Sequence, residues 1–123
     1  FTRLGVCPEA GSSYLLPRQI GYQRAAELLL LGDRFSSEKA LEYGIVTDVL
    51  PQDQHMDYAL RKCHELAALP TKAVQESKRL LKKGLDNVLP GTIEEELATF
   101  SELLKMPDAQ EIVKAFLERK AAS

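Results

Sequence analysis

A chain of 123 residues holds one domain with a modest core and is too short for two. Hydrophobic residues make up 45% and charged residues 28%, the balance of an ordinary soluble globular protein, and a net charge of −2 gives no bulk pull toward nucleic acid or an anionic membrane. Cys7 and Cys63 stand far apart and outside any ligand-spaced cluster, which argues against a disulfide framework or zinc site and reads as two reduced cytosolic thiols.

The opening stretch, Phe1 to Gly11, carries Gly5, Pro8 and Gly11 and favours turns over a continuous helix. A short helix is expected from Ser12 or Ser13 to Leu16, stopped by Pro17. Tyr22 to Leu31 repeats Ala25, Ala26, Leu29 and Leu30 at helical spacing, with Gly32 as a stop. Ser36 caps the next helix, Glu38 sits in its first turn, and it ends at Tyr43 with Gly44 ready for a left-handed cap. Ile45 to Leu50 is β-branched and alternating and reads as a strand. A lone strand needs a ladder partner: either Phe1 to Leu4 pairs with something, or the partner strand lies outside these residues.

Four helices are expected to follow. Met56, Ala59, Leu60, Cys63, Leu66 and Ala67 form the stripe of the first, closed by Pro70. Ala73, Val74, Leu80 and Leu81 form the second, surrounded by basic residues from Lys72 to Lys83 and stopped at Gly84; that basic face is either solvated or meets phosphate. Thr92 and Glu95 make a capping box for the third, whose stripe is Ile93, Leu97, Phe100 and Leu104. Asp108 and Glu111 offer a cap for the last, which is expected to bury Ile112, Val113, Phe116 and Leu117. The fold class is mainly α with one short strand. No apolar run spans a bilayer, no secretory signal opens the chain, and a start at Phe1 rather than Met suggests a processed or partial chain.

Glu9 is the residue with chemical potential. It lies between Pro8 and the small residues Ala10, Gly11, Ser12 and Ser13, which let a substrate approach the backbone closely. A carboxylate there acts as a general base if apolar neighbours raise its pKa, and Phe1, Val6, Cys7 and Leu16 are the candidates for that role. The bland alternative is a solvated turn residue. His55 and His64 have no Ser or Cys arrangement that suggests a triad. Tyr14 is a core residue or lines a substrate pocket.

The segment LGVCPEAGSSYLLPRQIG, Leu4 to Gly21, resembles the crotonase (enoyl-CoA hydratase/isomerase) pattern LGxxPxxGxxxxLPRxxG. RAAELLLLGDRFSSEKALEYGIV, Arg24 to Val46, resembles the stretch that follows in that family. Val49 to Pro51 and the closing AFLERK, Ala115 to Lys120, extend the likeness over essentially the whole chain, in order and at the right spacing. The resemblance implies the C-terminal helical part of a crotonase (ClpP/crotonase-like) fold, its strand a remnant of the βα spiral core. Residues 1–51 would then be the end of the core with the active-site loop. Residues 52–123 would be a helical region that covers coenzyme A and joins subunits.

The resemblance also implies roles. In hydratases of the family a catalytic carboxylate stands just before the Leu-Gly pair, a position that is Phe1 here. The Pro8–Glu9 pair looks like the Δ3,Δ2-enoyl-CoA isomerase branch, where the corresponding Glu is the single base. Phe116, Arg119 and Lys120 would reach coenzyme A from the last helix, or else Phe116 is core and the basic pair complements the helix end. The implied function is a 3-to-2 double-bond shift in an enoyl-CoA, with no cofactor beyond the CoA of the substrate. Implied partners are acyl-CoA and further copies in a trimer or hexamer, with no nucleic acid or membrane, in the cytoplasm. The family's oxyanion-hole N–H groups and CoA-binding turns belong to its N-terminal half, so residues 1–123 alone are expected to be inactive, to expose apolar surface and to self-associate. The alternatives are a hydratase or hydrolase with its second carboxylate elsewhere, and a non-catalytic CoA-binding or oligomerisation module.

Overall fold

Capping residues set most of the helix boundaries in the first third of the chain. The computed structural model describes the backbone of residues 1–121 and the side chains of residues 1–118. Thr2–Leu4 form a single 3-10 turn, closed by the Leu4 N–H donating to the Phe1 carbonyl at 2.7 Å. Three helices follow: α1, Ser12–Ile20; α2, Tyr22–Leu31; and α3, Ser37–Glu42. The bounds of α2 are those read from the sequence, and Gly32 stops it at φ 63°. The Ser36 hydroxyl caps α3 by accepting from the Lys39 N–H at 3.2 Å.

Two expectations fail in this region. α1 runs through Pro17 instead of stopping before it. Proline deletes one N–H from the ladder, but α1 packs along α2 and its N-terminus is held from another helix, and this tertiary support outweighs the local penalty. Residues 45–50 are not a strand, and no strand occurs among the described residues. Phe1–Leu4 coils into its own turn, so no ladder partner occurs among the described residues, and the Ile45 N–H returns instead to the Ala40 carbonyl at 2.9 Å. The mainly helical class stands; the strand does not.

The four later helices are α4, His55–Ala67; α5, Thr71–Lys82; α6, Leu89–Leu104; and α7, Pro107–Ala121. α6 begins upstream of the expected capping box, with Pro90 in its first turn, where a fixed φ suits a helix and no N–H is needed. Thr92 therefore lies inside the helix and its hydroxyl donates to the Val88 carbonyl at 3.1 Å. Asp108 likewise sits within the first turn of α7 rather than before it.

α1 packs on α2 and α6, α6 on α7, and the opening turn on α2 and α7. The buried apolar residues are small or few: Val6, Ile20, Ala25, Ala40 and Ala109. Gly5 makes the contact with α7 possible, because a Cβ there would stand 2.9 Å from the Ala109 backbone. The Arg3 Nε–H donates to the Leu31 carbonyl at 2.8 Å and the same guanidinium pairs with Asp33, tying the opening turn to the end of α2.

The expected apolar stripes of α6 and α7 are only partly inward. On α6 the buried residue is Glu96, with Thr92, Phe100 and Leu103 half-buried; Ile93, Leu97 and Leu104 are exposed. On α7, Ile112, Phe116 and Leu117 are exposed and Ala109 is buried. α6 turns inward the face that can bond α1, and leaves Ile93, Leu97 and Leu104 exposed among the described residues. α4 and α5 also expose apolar side chains, Leu81 at 84%.

Candidate active site

The turn from Cys7 to Ser13 leads into α1, and its backbone is unusual. Ala10 is the one non-glycine residue with positive φ among the described residues, at 58°, and Gly11 follows at 74°. Two successive left-handed residues reverse the chain sharply; an L-residue adopts that conformation at a cost of about 1–2 kcal/mol. The Glu9 carbonyl closes the reversal by accepting from the Ser12 N–H at 3.1 Å and from the Ser12 hydroxyl at 2.7 Å.

The N-terminus of α1 presents backbone N–H groups that need acceptors, and Gly11 at the cap position has no side chain to supply one. Glu96 of α6 supplies it. Its carboxylate accepts from the Gly11 N–H at 2.6 Å and from the Ser13 N–H at 3.0 Å, and also from the Ser13 hydroxyl. The positive end of the helix dipole favours a carboxylate at this place. The Cys7 thiol donates to the main-chain carbonyl of Glu96 at 3.6 Å. Glu96 is only 7% exposed, so one buried residue holds the turn on both sides of Glu9.

Sequence reading passed over Glu96. The signal was indirect: a helix that opens on glycine must find acceptors elsewhere, and the run Glu94-Glu95-Glu96 was a place to look.

Glu9 itself points outward. Its side chain is exposed, and its carboxylate accepts no hydrogen bond among the described residues. Of the apolar neighbours named for it, Val6 is buried, Cys7 and Leu16 are half-buried and Phe1 is exposed, so the described residues do not enclose the carboxylate. Tyr14 stands in the first turn of α1, half-buried, with the Arg18 guanidinium 3.3 Å from its ring centroid. Phe116 is 55% exposed on α7, seven residues or about 10 Å of helix beyond Ala109. The side chains of Arg119 and Lys120 lie outside the described residues. Glu9 and Tyr14 thus share one turn-helix junction, and Phe116 belongs to a separate helix.

Two clefts adjoin this junction. One of about 250 Å³ lies between the turn and α6, lined by Cys7, Pro8, Ser13, Thr92, Glu96 and Thr99. The other, of about 540 Å³, is apolar, lined by Leu85, Leu89, Pro90 and Ile93, with Lys82, Asp86 and Glu94 also in its wall. It begins beside the turn: a Cβ on Gly11 would meet the Leu89 side chain at 2.5 Å.

Several charged groups on the later helices form ion pairs with near neighbours. On α5, Lys72 and Arg79 bracket Glu76 at 3.1 and 2.8 Å, and those bonds, Arg79 first, lower the Glu76 pKa; the basic face is partly neutralised by its own helix. His55 and His64 are exposed on α4. Among the described residues no three His, Cys, Asp or Glu side chains converge to hold a metal ion, and no helix is long and apolar enough to cross a membrane.

Comparison with known proteins gives this geometry a context. Residues 1–123 match the sequence family described as enoyl-CoA hydratase/isomerase. A probable enoyl-CoA hydratase of Rhodobacter capsulatus is 32% identical over 120 residues, covering 98% of this chain and 47% of that protein. Enoyl-CoA delta isomerase 2 of Rattus norvegicus is also 32% identical over 120 residues, covering 98% of this chain and 31% of its own length. The crystal structure of an enoyl-CoA hydratase/isomerase from Pseudoalteromonas atlantica superposes with a TM-score of 0.89 at 33% identity, over 97% of this chain and 48% of that one. The chain spans about half the length, or less, of the curated relatives it matches.

Proposed function

The chain belongs to the enoyl-CoA hydratase/isomerase family, and from that premise we propose that it carries the base, Glu9, of an enzyme that moves the double bond of an enoyl-CoA from the 3 to the 2 position. The observation that carries the reading is the state of Glu9: a carboxylate with free acceptor capacity on a turn that is itself held rigid.

One carboxylate suffices for the reaction. The thioester acidifies the proton on the carbon next to its carbonyl. Glu9 takes that proton, the electron pair delocalises onto the thioester oxygen as a dienolate, and the carboxylic acid formed returns the proton two carbons away. Charge on the oxygen calls for N–H donors, which in this family come from the N-terminal half. The apolar cleft along Leu85, Leu89 and Ile93 suits a hydrocarbon tail. Residues 52–123 would cover coenzyme A and join subunits in a trimer or hexamer, with Phe116, Arg119 and Lys120 of α7 toward the nucleotide. No cofactor besides the CoA of the substrate enters this scheme.

Hydration of a 2-enoyl-CoA is the second reading, favoured by the hydratases among the relatives, such as the 2,3-dehydroadipyl-CoA hydratase of Escherichia coli, 30% identical over 117 residues. It needs a second acid–base group, and Phe1 occupies the place where the family's hydratases carry one. The full-length protein should therefore convert a 3-enoyl-CoA, and Glu9→Gln should lower kcat by about 10²–10⁴-fold. Unchanged turnover in the variant removes Glu9 as the base. Water addition to a 2-enoyl-CoA faster than the double-bond shift favours the second reading.

A further inference from the structure

We infer that Glu96 is a positioning residue for the active-site turn: from the opposite end of the sequence it fixes the Ala10–Gly11 reversal and thereby the aim of the Glu9 carboxylate. The inference rests on the reading of Glu9 as base. It adds a residue that no part of that reading requires.

Two independent observations carry it. The first is the bonding of Glu96. A buried carboxylate is costly unless its lone pairs are filled, and here three donors fill them, all from Gly11 and Ser13. The thiol of Cys7 adds a contact to the main chain of the same residue. The segment flanking Glu9 is thus tied on both sides to one point of α6. The second is the strain at Ala10, whose φ of 58° lies where an L-residue stays only when its surroundings over-determine it. The Gly11 N–H, adjacent to Ala10, is the group that Glu96 holds. Release of that bond lets the reversal relax, and Glu9, one residue before Ala10, moves with it.

A glutamine at position 96 keeps the volume and one acceptor oxygen, but its amide NH2 opposes the N–H of either Gly11 or Ser13. An alanine leaves three donors without a partner. Misplacement of a catalytic group by about 1 Å costs about 10²-fold in rate. In the full-length protein, Glu96→Gln should lower kcat about 10-fold and Glu96→Ala about 100-fold, with KM within about threefold, because Glu96 acts on the base and not on substrate affinity. Ser13→Ala, which removes one donor and leaves the buried carboxylate bonded to backbone, serves if Glu96→Ala fails to fold; a smaller loss in kcat at unchanged Tm is expected.

A double-mutant cycle separates positioning from plain structural support. In a Glu9→Gln background the aim of residue 9 no longer matters, so Glu96→Gln should cost less than about twofold more. Loss by the same factor in both backgrounds, or an unchanged kcat for Glu96→Gln in the presence of Glu9, overturns the positioning role while Glu9 remains the base. An unaffected Glu9→Gln variant overturns the base itself, and the role of Glu96 falls with it.

Discussion

Single atoms decide several features of this chain. Gly5 is the plainest case. Its φ of 75° is left-handed, and an added Cβ would stand 2.9 Å from a backbone atom of Ala109, which cannot swing aside as a side-chain tip would. Gly5→Ala should therefore destabilise the protein by about 2–4 kcal/mol, adding left-handed strain to overpacking, as read from the midpoint of chemical denaturation. At Gly11 an added Cβ would meet only the tip of the Leu89 side chain, which can shift, so there the left-handed φ of 74° is what favours glycine, and the glycine also leaves the cap position without an acceptor. That deficit is what Glu96 fills. A composition argument places a glutamate on the surface; the hydrogen-bond accounting of α1 brings this one inside.

At the scale of elements, what local sequence controls was legible and what distant sequence controls was not. α2 and α3 begin and end where their caps and glycines say, because those signals lie within a turn of the boundary. α1 passes through Pro17 because its support comes from α2 and α6. Residues 45–50 have the side chains of a strand and no strand to pair with among the described residues. Of the candidate site, the sequence singled out Glu9 and its turn as an expectation, and the Glu96 contact to Gly11 was not legible because it spans 85 residues.

The side-chain bonds between α2 and the α3 region offer a test in pH. Glu27 of α2 accepts from the Lys39 ammonium at 2.6 Å and from the Tyr43 hydroxyl at 2.9 Å, and these bonds, Lys39 first, hold its carboxyl below the ordinary 4.5. The Glu27 bond raises the Lys39 pKa above 10.5 in turn. A carboxyl depressed on folding stabilises the fold above pH 4.5 and loses that contribution as pH falls through its folded value. The ammonium contributes below pH 10.5 and loses its share as pH rises past its own folded value. The Tm difference between the native chain and Glu27→Gln should be present at neutral pH and shrink below pH 4.5; a difference that persists in acid would show that the ion pair does not join the two helices.

At the scale of the whole molecule, the surface is too large for the mass. A folded monomer of 13.7 kDa exposes about 6,600 Å². This chain exposes 9745 Å². The excess of about 3,000 Å² is the size of a substantial protein interface. Much of it is apolar, on α4, α5 and the outer faces of α6 and α7. Residues 1–123 in isolation are therefore expected to self-associate, with sedimentation velocity showing species heavier than 13.7 kDa whose proportion grows with concentration. Leu81→Lys with Met56→Lys, on two exposed faces, should shift that distribution toward the monomer.

The clamp of Glu96 on the Gly11–Ser13 turn also has a consequence in time. A chain emerging from the ribosome presents Glu9 and all of α1 well before α6 exists, and the carboxylate that fixes Gly11 and Ser13 arrives 85 and 83 residues later. Until then Ala10 has no reason to keep its left-handed turn. The turn can be made early, but it is set only when synthesis has passed Glu96, so a chain cut short before α6 would contain the proposed base and lack its aim.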